Sequence, residues 1–252
     1  MEMDSLLINK IRNSVKIKIL RKSISEFPYY IFDYLFIGIS LLKNLVKYRE
    51  SYKKNLVIVT ASDKFFANSL FQLLDNLSLQ DEIKLIIVYD LGMTSEQVSK
   101  LKDEYKNVTY RKFEFNEYPK FFKERDEYGK LGAYGWKPSI IWKLLNEFKC
   151  QIVWLDTGNL INKKFKLVRI VLSNIGFFSP ISAGDIKTYT HPSTLNNLNF
   201  PEKYKKKRML TGGFCCFDWE NKESKELLLK WKNFALDKDI IVPEGSTPNN
   251  HK

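Results

Sequence analysis

Gln151-Ile152-Val153-Trp154-Leu155-Asp156-Thr157-Gly158 decides the fold. Residues 152–155 are bulky and apolar without a break, and the run stops abruptly at three small or polar residues. A strand with one wet face alternates apolar and polar side chains. An unbroken apolar run means that both faces are covered, as in a parallel sheet flanked by helices. Residues 56–60 (Leu-Val-Ile-Val-Thr) and 83–89 read the same way, and residues 108–115 form a third, partly alternating strand. Helical spacing fills the gaps at 65–77, from Thr94 onward, and from Pro138 to Phe148. The order strand–helix–strand–helix–strand, then helix–strand, predicts a three-layer α/β sandwich with a mostly parallel central sheet.

Outward from this core the pattern is less regular. Residues 116–135 read as a loop or short helices. Residues 166–174 and 222–236 read as helices, 177–180 as a short strand, and 191–199 as a loop with a helical turn. Residues 210–217 read as a strand entered through a tight turn at Gly212-Gly213, and 240–243 as a final extended segment.

The chain has 252 residues, enough for one sizeable α/β domain over residues 55–252 with an appendage at residues 1–54. Its 44% apolar content excludes a disordered chain. The net charge of +12 is unevenly spread. Residues 1–54 hold eleven Lys or Arg against five acids, and Lys203 to Arg208 hold five cations in six residues. Such clusters attract anionic lipid or phosphorylated ligands, and no nucleic-acid-binding motif is visible. Residues 6–20 place apolar residues at helical spacing among cations. Residues 27–46 are aromatic and aliphatic but interrupted by Asp33 and Lys43. That texture predicts a basic amphipathic helical segment in the lipid interface, or a helical cap on the main domain, rather than a spanning helix. Cys150, Cys215 and Cys216 are odd in number and lack Cys-x-x-Cys spacing, which predicts reduced structural thiols and no zinc site. With no secretory signal in the polar N-terminus, the expected location is cytoplasmic, peripheral on the inner face of the membrane.

In open parallel sheets ligands sit outside the carboxyl ends of the strands. Three predicted strand ends are small and polar: Thr60-Ala61-Ser62-Asp63, Asp90-Leu91-Gly92 and Asp156-Thr157-Gly158-Asn159. They should gather on one edge, although Asp, Ser and Gly are also what ordinary turns are made of. Asp156 has a specific use. A nucleotide-sugar diphosphate concentrates negative charge, and a Mg²⁺ or Mn²⁺ ion bridging it needs one or two carboxylates besides phosphate oxygens and water. That ion offsets charge growing on the leaving diphosphate.

Val153-Trp154-Leu155-Asp156-Thr157-Gly158, with Trp136-Lys137-Pro138 and its helix before it, resembles the GT-A-type glycosyltransferases. It is most similar to a poorly characterised glycosyltransferase-like family. That family's Thr-His-Pro, Gly-Gly-hydrophobic and Pro-Glu-Gly-Ser…His segments match Thr190-His191-Pro192, Thr211-Gly212-Gly213-Phe214, and Pro243-Glu244-Gly245-Ser246 with His251. The resemblance covers residues 55–252 and implies a GT-A-like fold that moves a sugar from a nucleotide-diphosphate donor to a glycan or lipid-linked acceptor. Two departures stand out. Many GT-A enzymes carry Asp-x-Asp, whereas the third position here is Gly158, so either Asn159 or His251 supplies a second metal ligand or no metal is used. The family also continues past the histidine, so the domain is expected to be truncated at its C-terminus.

Other candidates follow. Lys137, just before Pro138 at the start of a helix, suits a diphosphate or faces solvent. Trp136 stacks on a base or sugar, or fills the core. Thr60, Ser62 and Asp63 face the nucleoside, or cap the next helix. Thr157 and Gly158 join Asp156 at the donor. His191, Gly212 and Gly213 contact diphosphate or acceptor, or simply build loops. Asp218, ending its strand, is a candidate acceptor-side base, and Asp156 with His251 a candidate metal pair. Two rivals remain. A nucleotidyltransferase would need a glycine-rich basic loop where Ala61-Ser62-Asp63 stands. A catalytically inactive membrane-surface binding module fits the missing second Asp.

Overall fold

The computed structural model describes residues 55–247, apart from 81, 84, 127 and 128. The N-terminal helical segment expected over residues 1–54, and His251, lie outside the described residues.

The central sheet has six strands in the order β3-β2-β1-β4-β8-β5. β1 (Leu56–Ser62), β2 (Leu85–Asp90), β3 (Val108–Lys112) and β4 (Gln151–Leu155) run parallel. β8 (Phe214–Asp218) lies antiparallel to β4, and the two-residue β5 (Phe177–Phe178) antiparallel to β8. A separate ribbon pairs β6 (Ile181–Asp185) with β7 (Arg208–Leu210).

Period-2 alternation divides the buried strands between two cores. Val57, Val59, Ile152 and Trp154 face one, and Leu56, Ile58, Val153 and Leu155 face the other. Helices cover both. α1 (Ala67–Ser78) buries Ala67, Leu70, Leu74 and Leu77 at helical spacing on the second face. α2 (Ser95–Glu104) adds Leu101 there and begins with a capping box between Thr94 and Gln97. α3 (Trp136–Phe148) buries Ile140, Ile141, Leu144 and Leu145 on the first face, next to Leu228 of a later helix, Lys222–Ala235. At roughly 1.5–3 kcal/mol for each fully buried large apolar side chain, these two faces dominate the stability. The three-layer α/β sandwich with a mostly parallel central sheet is therefore the architecture.

Three local expectations are corrected. Residues 240–243 are not extended, because Lys238–Ile241 form a helical turn in which the Asp237 side chain accepts from the Asp239 N–H. The expected strand over 210–217 is two strands in different sheets, with Gly212-Gly213 crossing between them. The α3 helix starts at Trp136 with Gly135 as its N-cap, two residues before Pro138. Lys137 thus belongs to the first turn.

Candidate functional site

β1, β2 and β3 build the sheet in one direction, and β4 then returns to the other side of β1. The crevice outside the carboxyl ends of β1 and β4 is the switch point where open α/β sheets place ligands. Ser62 and Asp63 close one side of it and Asp156 the other.

The three strand-end carboxylates have unequal fates. Asp90 is buried. Its Oδ1 accepts from the Gly92 and Met93 N–H groups, both at 2.7 Å, and its Oδ2 accepts from the Tyr110 hydroxyl at 2.8 Å. Asp63 is also buried. Its Oδ1 accepts from the Phe65 and Phe66 N–H groups, and its Oδ2 from Arg125 Nη2 at 2.5 Å. Both hold turns together. Only Asp156 is open, with 45% of its side chain exposed.

Lys137 reaches Asp156 from α3. Its Nζ lies 2.8 Å from Asp156 Oδ1 and donates to the Gly212 carbonyl at 2.9 Å. The lysine is only 5% exposed. Its ammonium lies 5.5 Å from the Tyr134 ring centroid and 5.4 Å from that of Trp154, an aromatic surrounding that favours a cation. An ammonium has three donors. Two are taken, so one remains for a ligand. Trp154 Nε1 also donates to Asp156 Oδ1, at 2.7 Å. The Asp156 N–H donates to the Gly213 carbonyl, which Asn159 Nδ2 joins at 2.8 Å. Asp156 Oδ2 faces Gly213, where a Cβ would sit 3.2 Å from it. Gly158, beyond it, borders open space.

Tyr134 was not legible as a site residue. It and Ala133 adopt left-handed φ of 63° and 45° without being glycine, a conformation that costs roughly 1–2 kcal/mol per residue. Burial holds the Tyr134 hydroxyl above its usual range, followed by the charges of Asp156, Asp126 and Asp63. Its neighbour Ala133 lines a cleft of about 170 Å³ together with Arg125, Asp126, Lys238, Val242 and Ser246. Trp154 could have been found from strand periodicity, since it shares a face with Asp156 two residues on. Arg125 gave no local signal.

The other expected residues are placed as follows. Thr60 is fully buried on β1 and its hydroxyl finds no partner, while the Ser62 hydroxyl donates to the Asp63 carbonyl. Thr157 is buried at the turn. Trp136 is core: its indole N–H donates to the Leu131 carbonyl, and its ring lies 5.8 Å from that of Trp154. It has no face free for a base or sugar. His191 caps the helix Pro192–Asn197, its Nδ1 accepting from the Ser193 N–H at 3.2 Å. Its Nε2 lies 3.9 Å from where a Cβ on Gly245 would be, so the Thr-His-Pro and Pro-Glu-Gly-Ser segments meet. Asp218 is not brought to the site. Because β8 is antiparallel to β4, Asp218 pairs with Gln151 at the opposite end of β4. That is roughly 15 Å from Asp156 at about 3.3 Å per residue. There it is buried, accepting from Gln151 Nε2 and the Glu220 N–H.

Among the described residues no three His, Cys, Asp or Glu side chains cluster to enclose a metal ion. Asp156 Oδ2 is the oxygen a divalent cation could use, since Oδ1 is taken by Lys137 and Trp154. One carboxylate completed by phosphate oxygens and water is an accepted donor set for Mg²⁺. No described helix is long and apolar enough to cross a membrane.

The family described as "Protein of unknown function (DUF1647)" matches residues 38–141. No curated protein matches by sequence. Three solved structures are similar in shape at low identity. The galactosyltransferase LgtC, in complex with donor and acceptor sugar analogs, is 16% identical, with 70% of this chain and 65% of that one covered and a TM-score of 0.45. The mannosyltransferase Ktr4p of S. cerevisiae is 11% identical over 73% and 62%, with a TM-score of 0.47. The glucosyl-3-phosphoglycerate synthase of Mycobacterium tuberculosis, in complex with Mn²⁺, UDP and glucosyl-3-phosphoglycerate, is 19% identical over 66% and 57%, with a TM-score of 0.42. The chain spans less than two thirds of the length of each of these structures.

Proposed function

We propose that this chain is a glycosyltransferase that moves a sugar from a nucleotide-diphosphate donor to a glycan or lipid-linked acceptor. One observation carries the reading: a buried lysine ammonium held by Asp156 Oδ1 and the Gly212 carbonyl at the switch point of a parallel sheet. A diphosphate entering the crevice meets the third N–H of Lys137, and a charge-assisted hydrogen bond there stabilises negative charge as the sugar bond breaks. Asp156 orients that ammonium. Its Oδ2 would hold Mn²⁺ or Mg²⁺, and such an ion would neutralise further charge on the diphosphate. The cleft beside Ala133 suits the sugar and acceptor end, since its two cations are already paired, Arg125 with Asp63 and Lys238 with Glu124. The first strand end, with Thr60 and Ser62, would face the nucleoside.

The test is a melting-temperature panel of the full chain with UDP, GDP, CDP and ADP and their sugars, with and without Mn²⁺. At least one nucleoside diphosphate should raise the melting temperature, and Asp156→Ala should abolish the rise while the protein still melts cooperatively. The same panel with nucleoside triphosphates separates the nucleotidyltransferase alternative. If no nucleotide shifts the native protein under any of these conditions, the reading is wrong.

A further inference from the structure

We propose that the β6–β7 ribbon and the turn leading into it form a docking surface for an anionic lipid bilayer, immediately beside the Asp156 centre. Lys203, Lys206 and Lys207 are all exposed in this turn. Lys187 joins them, because its N–H donates to the Lys205 carbonyl while the Ile186 N–H donates to that of Lys207. Two acids sit near them: Asp185, whose carboxylate accepts from the Thr188 N–H and hydroxyl, and Glu202. Lys205 hydrogen-bonds Glu202 at 2.7 Å and, with Lys187 and Lys206, holds its carboxyl below the usual range. The cations therefore converge on one patch.

Apolar side chains are exposed on the same ribbon, Ile181 and Leu210 at its other end and Tyr204 in the turn. Ile181 and Leu210 are direct cross-strand partners and so share a face. They are 40% and 50% exposed, and Tyr204, beneath the Lys203 ammonium, is 44% exposed. A phosphodiester polymer would use the lysines but has no use for an exposed Ile–Leu pair. A bilayer surface uses both: headgroup phosphates and carboxylates meet the lysines, and the apolar residues and tyrosine enter the headgroup boundary. The ribbon also leads directly to the site. The Thr211 N–H donates to the Pro180 carbonyl at 2.9 Å, and the next two carbonyls, of Gly212 and Gly213, accept from Lys137 and Asp156. A bilayer seated here would lie next to the crevice.

The experiment is flotation of the full chain with vesicles of phosphatidylcholine alone and of phosphatidylcholine with phosphatidylserine. The native chain should prefer the anionic vesicles. Each basic residue near such a surface contributes roughly fivefold in partitioning. Lys203→Gln, Lys206→Gln and Lys207→Gln together should therefore weaken binding roughly a hundredfold, and Glu202→Gln should tighten it about fivefold. Leu210→Ser should weaken binding to anionic vesicles without changing its salt dependence. The Glu202→Gln gain cannot come from misfolding, and unchanged melting temperatures control for the losses. Equal binding to both vesicle types, or a triple variant that floats like the native chain, overturns the proposal. So does a triple variant that loses only oligonucleotide affinity.

Discussion

Removing the two members of the Lys137–Asp156 pair one at a time should have unequal effects, and the inequality follows from burial. Lys137 is 5% exposed, whereas 45% of the Asp156 side chain is exposed. Asp156→Asn keeps the shape but leaves the ammonium buried with no anionic partner, only neutral acceptors and two aromatic faces. Breaking a fully buried pair in this way costs about 3–5 kcal/mol. Because the lysine keeps a carbonyl and the new amide oxygen, about 2–3 kcal/mol is expected here. In a domain of this size that lowers the melting temperature by roughly 5–10 °C. Lys137→Met instead leaves a carboxylate that water can reach and that still accepts from Trp154. It also puts an apolar chain of similar length against Tyr134 and Trp154, so a loss of only about 1 kcal/mol is expected. Function should rank the other way. If Lys137 meets a diphosphate as proposed, Lys137→Met removes that donor outright, and a charge-assisted hydrogen bond of about 1.5–3 kcal/mol corresponds to a loss of roughly tenfold to a hundredfold in nucleoside diphosphate affinity. Differential scanning calorimetry and titration calorimetry on the two variants measure both quantities. A Lys137→Met protein that is less stable than Asp156→Asn, or that binds nucleoside diphosphate as the native chain does, would refute the assignment.

Three further outcomes follow from the same structure. Gly132→Ala should cost at least about 2 kcal/mol, because φ is +54° and the new Cβ would meet the Phe122 carbonyl oxygen at 2.6 Å; a denaturant midpoint close to native would contradict this. Burial pushes the Cys150 thiol up to about 11 and the Cys215 thiol up to about 12, so a disulfide reagent at pH 8 should leave the native protein unlabelled and modify all three cysteines only after unfolding. Burial, then the hydrogen bond to Asp90, raises the Tyr110 hydroxyl from 10.0 to about 12. Below pH 10 both states hold that proton and the stabilisation is complete. Between 10 and 12 the unfolded chain ionises first, so stability falls as pH rises, and Tyr110→Phe should flatten that fall in urea titrations.

Much of the fold was legible because buried strands announce themselves. The unbroken apolar runs of β1, β2 and β4 and the helical spacing of α1 admit one period each. The site was only partly legible, since Asp63, Asp90 and Asp156 look alike along the chain. What separates them is long-range: Arg125 reaches Asp63 from 62 positions away, Tyr110 reaches Asp90 from 20, and Lys137 enters from a helix whose start the sequence placed two residues late. Asp218 was misplaced for a topological reason. A strand-end acid joins the others only if its strand runs parallel to theirs, and β8 does not. Residues 240–243 read as extended because Ile-Ile-Val favours strands, but the Asp237 cap draws Ile240 and Ile241 into a helical turn that ends before Val242. The left-handed backbone at Ala133 and Tyr134 carries no glycine at those positions, so nothing local marked it.

The charges around the crevice explain why one carboxylate stands where a pair was looked for. Lys137 could not remain buried alone, because an unpaired ammonium in a dry site costs several kcal/mol. Asp156 is therefore what allows a cation to be stored at the strand end before any ligand arrives. A second carboxylate at position 158 would compete for that ammonium and oppose an anionic ligand. The glycine there keeps the space above the turn open. Asp63 is already neutralised by Arg125 on the other side of the crevice. The resting site thus carries paired charges, and under the proposed function a diphosphate would gain by sharing Lys137 with Asp156 rather than by filling a bowl of free positive charge. Affinity for nucleoside diphosphate should accordingly depend less on salt than binding at the exposed lysines of the β6–β7 ribbon, since buried pairs are screened far less than surface charges. Parallel salt titrations of nucleotide and vesicle binding test this. Equal salt slopes would mean that the nucleotide binds at the surface and that the Lys137–Asp156 pair is merely structural.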